Sequence, residues 1–324
     1  MEILLDVSQI NIFIIDMKRL LITLACLMTA ISAWAECPDS LAFANAPWEI
    51  TELEKGAYAM YAQIPMFNSV QSVCVIKYPA KKFKTEFLHR PGEEADKPSI
   101  IGTETAASFA LNGSYFNMKD RTPTVYFRIG DEVLGKTHPT EVYRVDGVFA
   151  LKDKKGRKAV VALSDTTEYE AVAGRYHSVL AAGPTLIIDE EVIVPVLMGD
   201  AADGANVAAA VEEQKQKKKG GTQHYSSAQF YDKRHPRTAI GTDDNGYIYY
   251  VVIDGRFKGQ ADGASIWETA RICELLGMTN AINLDGGGST TLWGKDTGVI
   301  NHPYDNKVFD HDGERKVPNL LIAR

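Results

Sequence analysis

The sequence predicts an α+β fold: a mixed β-sheet with packed helices, in one large domain carrying a small N-terminal extension. Three observations carry that prediction. Short runs rich in Val, Ile, Tyr and Phe recur along the chain, each bounded by Gly, Asp, Asn or Pro, as strands separated by turns would be. Only Ser265 to Leu276 shows clear helical spacing. The 324 residues, 45% hydrophobic and 24% charged, suit an ordinary globular chain with room for a sizeable core.

The first 35 residues stand outside that fold. Met17-Lys18-Arg19 is a short basic start, and Leu20 to Ile31 is almost wholly apolar. Ala33-Trp34-Ala35 then places small residues where a signal peptidase reads. Residues 1–35 therefore read as a signal peptide, with an apolar run too short to span a bilayer. Upstream of Met17 the chain holds two Asp, one Glu and no Lys or Arg, which is wrong for a leader, so Met17 is the expected start. Cleavage removes three acids and two bases and moves the net charge from −7 to −6. A mildly acidic chain argues against a nucleic-acid partner. Export to the periplasm or the extracellular space is expected, with no transmembrane segment after cleavage. An oxidising compartment permits Cys37 to pair with Cys74, whereas Cys273 lies in the helical segment and reads as a small buried hydrophobe.

Residues 36–100 form the expected N-terminal region, with a strand at Ser72 to Tyr78. Residues 101–324 form the expected main domain. A short helix is expected at Thr103 to Ser108, then strands at Ser108 to Leu111, Val142 to Leu151, Ala159 to Leu163, Thr185 to Ile188 and Val192 to Leu197. Residues 199–229 pass from Ala-rich to Lys/Gln-rich to Gly-Gly and Ser-rich sequence, with too little apolar content to favour ordering. This insertion reads as a solvated surface loop, and its place just before Arg237 leaves a lid role open. Strands follow at Tyr247 to Ile253, Ala281 to Leu284 and Leu320 to Ile322. The helix at Ser265 to Leu276 lies between the first two, with Gly277 as its C-terminal cap.

The chemistry concentrates at Asn283-Leu284-Asp285-Gly286-Gly287-Gly288-Ser289-Thr290-Thr291. A strand ends on an Asn and an Asp that share one face, with Leu284 on the other. Three glycines then remove every Cβ, so that a ligand can approach the backbone and its amides can bind an anion. No Gly-Lys-Ser/Thr follows, so this is not a nucleotide P-loop, and neither the dinucleotide fingerprint nor the serine-hydrolase elbow is present.

These blocks resemble those of the phosphodiester glycosidase family. Besides Asn283 to Thr291, the resemblance rests on Leu111-Asn112-Gly113-Ser114-Tyr115-Phe116, Ala182-Gly183-Pro184-Thr185-Leu186-Ile187 and Arg237-Thr238-Ala239-Ile240-Gly241. Asp254-Gly255-Arg256 and Glu314-Arg315-Lys316-Val317-Pro318-Asn319 complete it, all in the family's order over about residues 105–324. Ser114 and Tyr115 stand where Gly and Phe are commoner. The resemblance implies an enzyme, a glycosidase hydrolysing a sugar–phosphate diester at the glycosidic C–O bond in envelope or exported glycans. Two other readings keep the same cleft: a non-catalytic carbohydrate- or phosphate-binding envelope protein, and a phosphodiesterase or transferase.

Such a reaction must neutralise a phosphate and stabilise an oxocarbenium-like centre while water is activated. Arg237, with Thr238 beside it, and then Arg256 and Arg315 are the expected phosphate contacts, because a guanidinium fork pairs with phosphate oxygens. Asp285 is the expected acid/base, Glu268 its partner and Asp254 a further catalytic candidate. Gly286, Gly287, Gly288 and Ser289 would line the anion, and Asn112 and Asn283 would bond sugar hydroxyls or orient a carboxylate. Tyr115 and Phe116 would floor a sugar ring, and Asn319 would stand beside the site. His235, His302 and His311 read as ordinary surface histidines. No cofactor and no metal are assigned. Asp305, Asp310 and Asp312 hint at calcium without the spacing of an EF-hand.

Overall fold

A computed structural model describes residues 38–164, 174–194 and 227–324. The leader at 1–35, Cys37 and most of the 199–229 insertion lie outside those residues. The chain divides into two compact units, Met1–Ala44 and Asn45–Arg324. Of the first, the structure describes helix α1, Pro38–Ala44. Everything below concerns the second.

This unit is mostly β-structure. Its elements are β1 (Glu49–Glu52), β2 (Tyr58–Met66), β3 (Ser69–Pro79), β4 (Thr85–His89), α2 (Pro98–Glu104), β5 (Phe109–Asn112), β6 (Phe127–Ile129), β7 (Glu132–Gly135), β8 (Gly147–Leu151), β9 (Ala159–Leu163), β10 (Ser178–Ala182), β11 (Thr185–Ile188), β12 (Glu191–Val192), α3 (Ser227–Asp232), β13 (Arg237–Thr242), β14 (Tyr247–Ile253), α4 (Ile266–Leu275), β15 (Asn280–Asn283), β16 (Leu292–Gly294), β17 (Gly298–Val299) and β18 (Asn319–Ala323). They build an eight-stranded sheet in the order β1-β2-β3-β14-β13-β15-β11-β12 and two five-stranded sheets, β7-β6-β10-β8-β9 and β17-β16-β5-β18-β4. Each described strand pair is antiparallel, which corrects the expected mixed sheet. Short turns account for pairs such as β2 with β3 and β13 with β14, whereas β3 with β14 and β5 with β18 join strands far apart in the chain, so their direction is set by the tertiary pairing. Residues 49–89 put strands into two of the three sheets.

One core lies between all three sheets. Ile76 and Tyr78 of β3, Phe87 of β4, Phe109 and Leu111 of β5, Phe149 of β8, Tyr250 of β14, Ile282 of β15 and Leu321 of β18 belong to one buried cluster. β14 reads Tyr-Ile-Tyr-Tyr-Val-Val-Ile without polar alternation because six of its seven residues are buried. Helix α4 packs against β11, β13 and β15. Its start is a capping box: Ser265 Oγ accepts from the Glu268 amide (3.1 Å), and the Ser265 amide donates to Glu268 Oε2 (2.8 Å). Its end is a Schellman turn, with Gly277 at φ +80°, its amide on Glu274 O and the Met278 amide on Cys273 O.

Several boundaries move from expectation; the strand expected at Val192 to Leu197 is only β12, Glu191–Val192, with residues 195–197 outside the described ones. The short helix sits at Pro98–Glu104, not 103–108, because Pro98 fits the first helical turn, where its missing N–H costs nothing. Residues 142–144 are turn, 145–146 are irregular, and β8 begins only at Gly147. Cys74 is a free, buried thiol in β3, and Cys273 is buried as read.

Pairing brings functional segments to one end of the fold. β13 runs antiparallel to β14 and β15, so its first residue, Arg237, faces Ile253 at the end of β14, and Ala239 faces Asn283 at the end of β15. In the neighbouring sheet the end of β5 at Asn112 faces Leu320 at the start of β18.

Candidate functional site

The Asn283–Thr291 bend is tied into two sheets by its own backbone. The Leu284 amide donates to Thr238 O (2.8 Å), Asp285 to Gly113 O (3.1 Å) and Gly287 to Pro236 O (2.8 Å). Asn112 completes the tie: its Nδ2 donates to Asp285 O (2.7 Å), and its Oδ1 accepts from Thr238 Oγ1 (2.9 Å) and the Thr291 amide (3.0 Å). The amides of Gly287, Ser289 and Thr290 are spent on Pro236, Gly286 and Gly287 carbonyls. The glycines therefore do less as an amide cradle than expected and more as clearance. A Cβ at Gly286 would lie 2.5 Å from Pro236 O, and Gly287 sits at φ +67°, with Arg256 Nη2 3.2 Å from where its Cβ would be. A Cβ at Gly288 would strike the Arg315 guanidinium and lie 2.6 Å from Asp305 Oδ1.

Asp285 is the carboxylate this arrangement leaves available. It is partly exposed, as are Gly286 and Gly287. Loss of hydration raises its carboxyl above the usual carboxylate range, although Ser289, Arg144 and Arg315 pull the other way; Glu141 reinforces the rise. Desolvation wins over two arginines.

Arg144 and Glu141 were not among the residues expected from sequence, because Val142–Leu151 reads as one strand and the turn within it is hidden. Arg144 Nε donates to Glu141 Oε2 (2.6 Å), and its guanidinium lies 3.7 Å over the Tyr115 ring. The Tyr115 hydroxyl donates to Gly183 O (2.6 Å). Tyr115 is thus a buried platform for an arginine and not the expected floor for a sugar. Phe116 is half-buried against Ile101, Val317 and Leu320, which makes it core as well.

The other expected site residues separate by what their polar atoms already hold. Asp254 is 1% exposed and accepts from Ser72 Oγ (2.8 Å), Asn301 Nδ2 (2.9 Å), the His302 amide (2.9 Å) and His302 Nδ1 (3.0 Å). Glu268 closes the capping box and takes Arg234 Nε on both oxygens at 3.0 Å. In the structure both carboxylates of these catalytic candidates are engaged by structural bonds. Arg237, 3% exposed, donates Nε to Ala264 O (2.8 Å) and Nη2 to Phe230 O (2.8 Å) and Lys233 O (2.9 Å). Burial lowers its pKa to about 10. It clamps main chain under the site and is no free phosphate fork. Thr238 is buried and bonded to Asn112.

Arg256 and Arg315 fare differently. Arg256 is exposed, at φ +70°, beside Gly287 and over the Tyr304 ring at 5.1 Å. Arg315 lies against Gly288, with Nε on Asp305 Oδ1 (3.0 Å) and Nη1 on Met118 Sδ (3.6 Å). Asn283 points inward: its Nδ2 donates to the Tyr115 hydroxyl (3.0 Å), Gly183 O (2.9 Å) and Leu284 O (2.8 Å). Asn319 Oδ1 accepts from the Ser114 amide (2.6 Å). Asn283 Oδ1 and Asn319 Nδ2 are buried without a protein partner. His235, read as a surface residue, is half-buried next to Pro236; burial first, then Arg237, Arg256 and Lys233, lower its pKa to about 4. It is therefore a neutral imidazole at physiological pH.

Among the described residues no cluster of His, Cys, Asp and Glu suits a metal ion, and no helix is long and apolar enough to cross a membrane. A hollow of about 420 Å³ lined by Arg128, Asp131, Lys154, Tyr176 and His177 contains none of the residues discussed above.

The family model for phosphodiester glycosidases matches residues 105–324. The chain is 37% identical over 67 residues to mouse N-acetylglucosamine-1-phosphodiester alpha-N-acetylglucosaminidase, a stretch covering 21% of this chain and 13% of that protein. Its structure is similar to the catalytic domain of the zebrafish enzyme of that name, with TM-score 0.55 and 14% identity over 86% of this chain and 81% of that one. It is also similar to a hypothetical protein from Synechocystis, with TM-score 0.60 and 15% identity over 89% of this chain and 64% of that one. At such identities the structural likeness speaks for the fold alone.

Two outcomes test this placement of residues. An acid whose pKa is raised on folding costs stability: the penalty is absent below the ordinary carboxylate range, grows as pH rises from there to the folded value, and stays constant above it. Asp285→Asn is therefore expected to raise Tm at pH 7 and to lose that advantage near pH 3.5; calorimetric scans at both pH values decide it. Arg237→Ala should lower stability by about 2–5 kcal/mol, since three carbonyls lose a charged donor; urea unfolding giving a change under about 0.5 kcal/mol would return Arg237 to the ligand-facing set.

Proposed function

This chain belongs to the phosphodiester glycosidase family, and from that membership and the geometry of its site we propose that it hydrolyses sugar-1-phosphate diesters at the glycosidic C–O bond. The observation that carries the reading is Asp285: a desolvated, partly exposed carboxyl at a strand end, with Arg144 and Arg315 acting on it and glycines beside it. A carboxylate whose pKa rises toward neutrality is a better base, and proton transfer by a positioned group contributes about 10²–10⁴-fold.

In this reading a water oxygen bonds the anomeric carbon as the bond from that carbon to the phosphate oxygen breaks. The electron pair leaves with the phosphate monoester, and the water proton passes to Asp285. Arg315 and Arg256 stabilise the departing anion, as preorganised cations do best in a poorly hydrated site. Arg144, held by Glu141 and stacked on Tyr115, keeps a fixed positive charge near Asp285. Asn112 and Arg237 act as positioning residues, through the bend and its support.

The substrate class proposed is an exported or envelope glycan carrying a sugar–phosphate diester. The leader-like residues 1–35 support export to the periplasm or beyond. The matched stretch spans 13% of the mouse relative, whose name specifies N-acetylglucosamine; a sugar of that kind is the first to try.

The test is isotopic. The protein is incubated with a nucleotide sugar in heavy-oxygen water, and label is expected on the sugar. Label on the phosphate would instead mean P–O cleavage by a phosphodiesterase, and an absence of product across several sugars would mean a binding protein. Asp285→Asn should cut kcat by about 10²-fold or more while phosphate still binds; a change under about threefold would remove Asp285 from the chemistry.

A further inference from the structure

Arg315 and Asp305 form an ion pair seated on the glycine bend. Both Nε and Nη2 of Arg315 donate to the same oxygen, Asp305 Oδ1. A side chain at Gly288 would collide with the Arg315 guanidinium and lie 2.6 Å from that carboxylate oxygen. The pair therefore occupies the space that the bend keeps clear, alongside the residues assigned to the phosphate. Asp305 belongs to an exposed stretch, residues 305–308, and its side chain is 40% exposed against 24% for Arg315. The carboxylate is the more solvent-facing partner.

We propose that Asp305 is an internal stand-in for the substrate's phosphate, holding Arg315 over the bend until a phosphodiester oxygen displaces it. This rests on the sugar–phosphate reading above and deepens it by naming the residue that sets the preference for charged esters. A guanidinium fork binds a phosphate oxygen as it binds a carboxylate oxygen. An anionic substrate can therefore take over both donors, while a neutral glycoside cannot and leaves Arg315 covered. An ion pair this exposed opens at little cost. The exchange keeps Arg315 preorganised in the empty site and makes phosphate affinity a difference between two anions.

The test uses the full chain and inorganic phosphate as the probe, with a nucleotide sugar as substrate. Asp305→Asn should tighten phosphate binding, measured by titration calorimetry, about three- to tenfold. It should lower KM for the nucleotide sugar by a similar factor, with kcat within about twofold. Asp312→Asn, which removes the same charge a few residues away on this exposed loop, controls for the general field and should change the phosphate affinity by less than about twofold. In an Arg315→Ala background the gain from Asp305→Asn should vanish, because the two side chains act as a unit. Weaker phosphate binding in Asp305→Asn would mean that Asp305 orients Arg315 for the substrate, and an equal gain in Asp312→Asn would mean a bulk charge effect. Either overturns the proposal, as does phosphate binding by neither the wild type nor Asp305→Asn. Calorimetry needs no turnover. Tighter phosphate binding in a chain that cleaves nothing would leave the displacement standing and sink the glycosidase reading, and the reverse pattern would do the opposite.

Discussion

The site depends on one side chain that presents a donor and an acceptor from the same planar group. Asn112 gives a hydrogen to Asp285 O and accepts from Thr238 Oγ1 and the Thr291 amide, so that β5, the start of β13 and both flanks of the glycine bend meet at a single amide. An aspartate there would offer two acceptors and no donor, setting negative charge against the Asp285 carbonyl. A leucine would match the shape and leave the Asp285 carbonyl and the Thr291 amide without this partner, each costing about 1–3 kcal/mol when buried, while Thr238 would keep Thr290. Only an amide satisfies both needs. The tie reaches Asp285 through its carbonyl, apart from the carboxyl itself, and so fixes the main chain from which that carboxyl projects.

That separation explains why two aspartates at neighbouring strand ends have different chemistry. Asp254 receives four hydrogen bonds from Ser72, Asn301 and His302, which fill its oxygens and weld β3 and β14 to the segment after β17. Asp285 carries no such set: Ser289 is its one side-chain hydrogen-bonding neighbour, and beyond that it meets long-range charge and poor hydration. Desolvation and the arginines oppose one another, and the net effect is upward. The same burial that would be a fault in a structural carboxylate leaves this one ready to exchange a proton. Neighbouring histidine chemistry follows the same rule in the other direction: His235 is held neutral by burial and by nearby cations.

The fold was legible where a local pattern decided it. β9, β11 and β14 begin and end where their Val, Ile and Tyr runs do, and α4 is bracketed by Ser265 and Gly277 as its spacing and caps require. Strand direction was not legible, since it follows from which runs pair and a run has no sign. Within the site, the Asn283–Ser289 block was recognisable because consecutive glycines are rarely anything but clearance or turns. What its residues do was readable only in part. Arg237 and Arg315 each stand in a distinctive block, yet one is buried against three carbonyls and the other lies on the bend. The difference lies in the chain folded over them: α3 and Ala264 cover Arg237, and nothing in the Arg-Thr-Ala-Ile-Gly string announces that. Arg144 was missed for a related cause, because an apolar run on its C-terminal side made the whole segment read as strand.

The balance of charge at this end of the fold bears on which bond such a site can break. A neutral glycoside has a poor leaving group and ordinarily needs two carboxyl groups, one of them to protonate the departing oxygen. Here Asp254 and Glu268 are occupied by structural bonds, and Glu141 is engaged by Arg144, so Asp285 stands with arginines as its main company. A phosphate monoester leaves as an anion that needs cations more than it needs a proton. One desolvated carboxylate to accept a proton from water, together with Arg315 and Arg256 beside the glycines, is the complement such a leaving group requires. The glycines matter to this balance as much as the charges do. Any side chain at Gly288 would push Arg315 off the bend, and with it the positive charge that the proposed phosphate leaving group would meet.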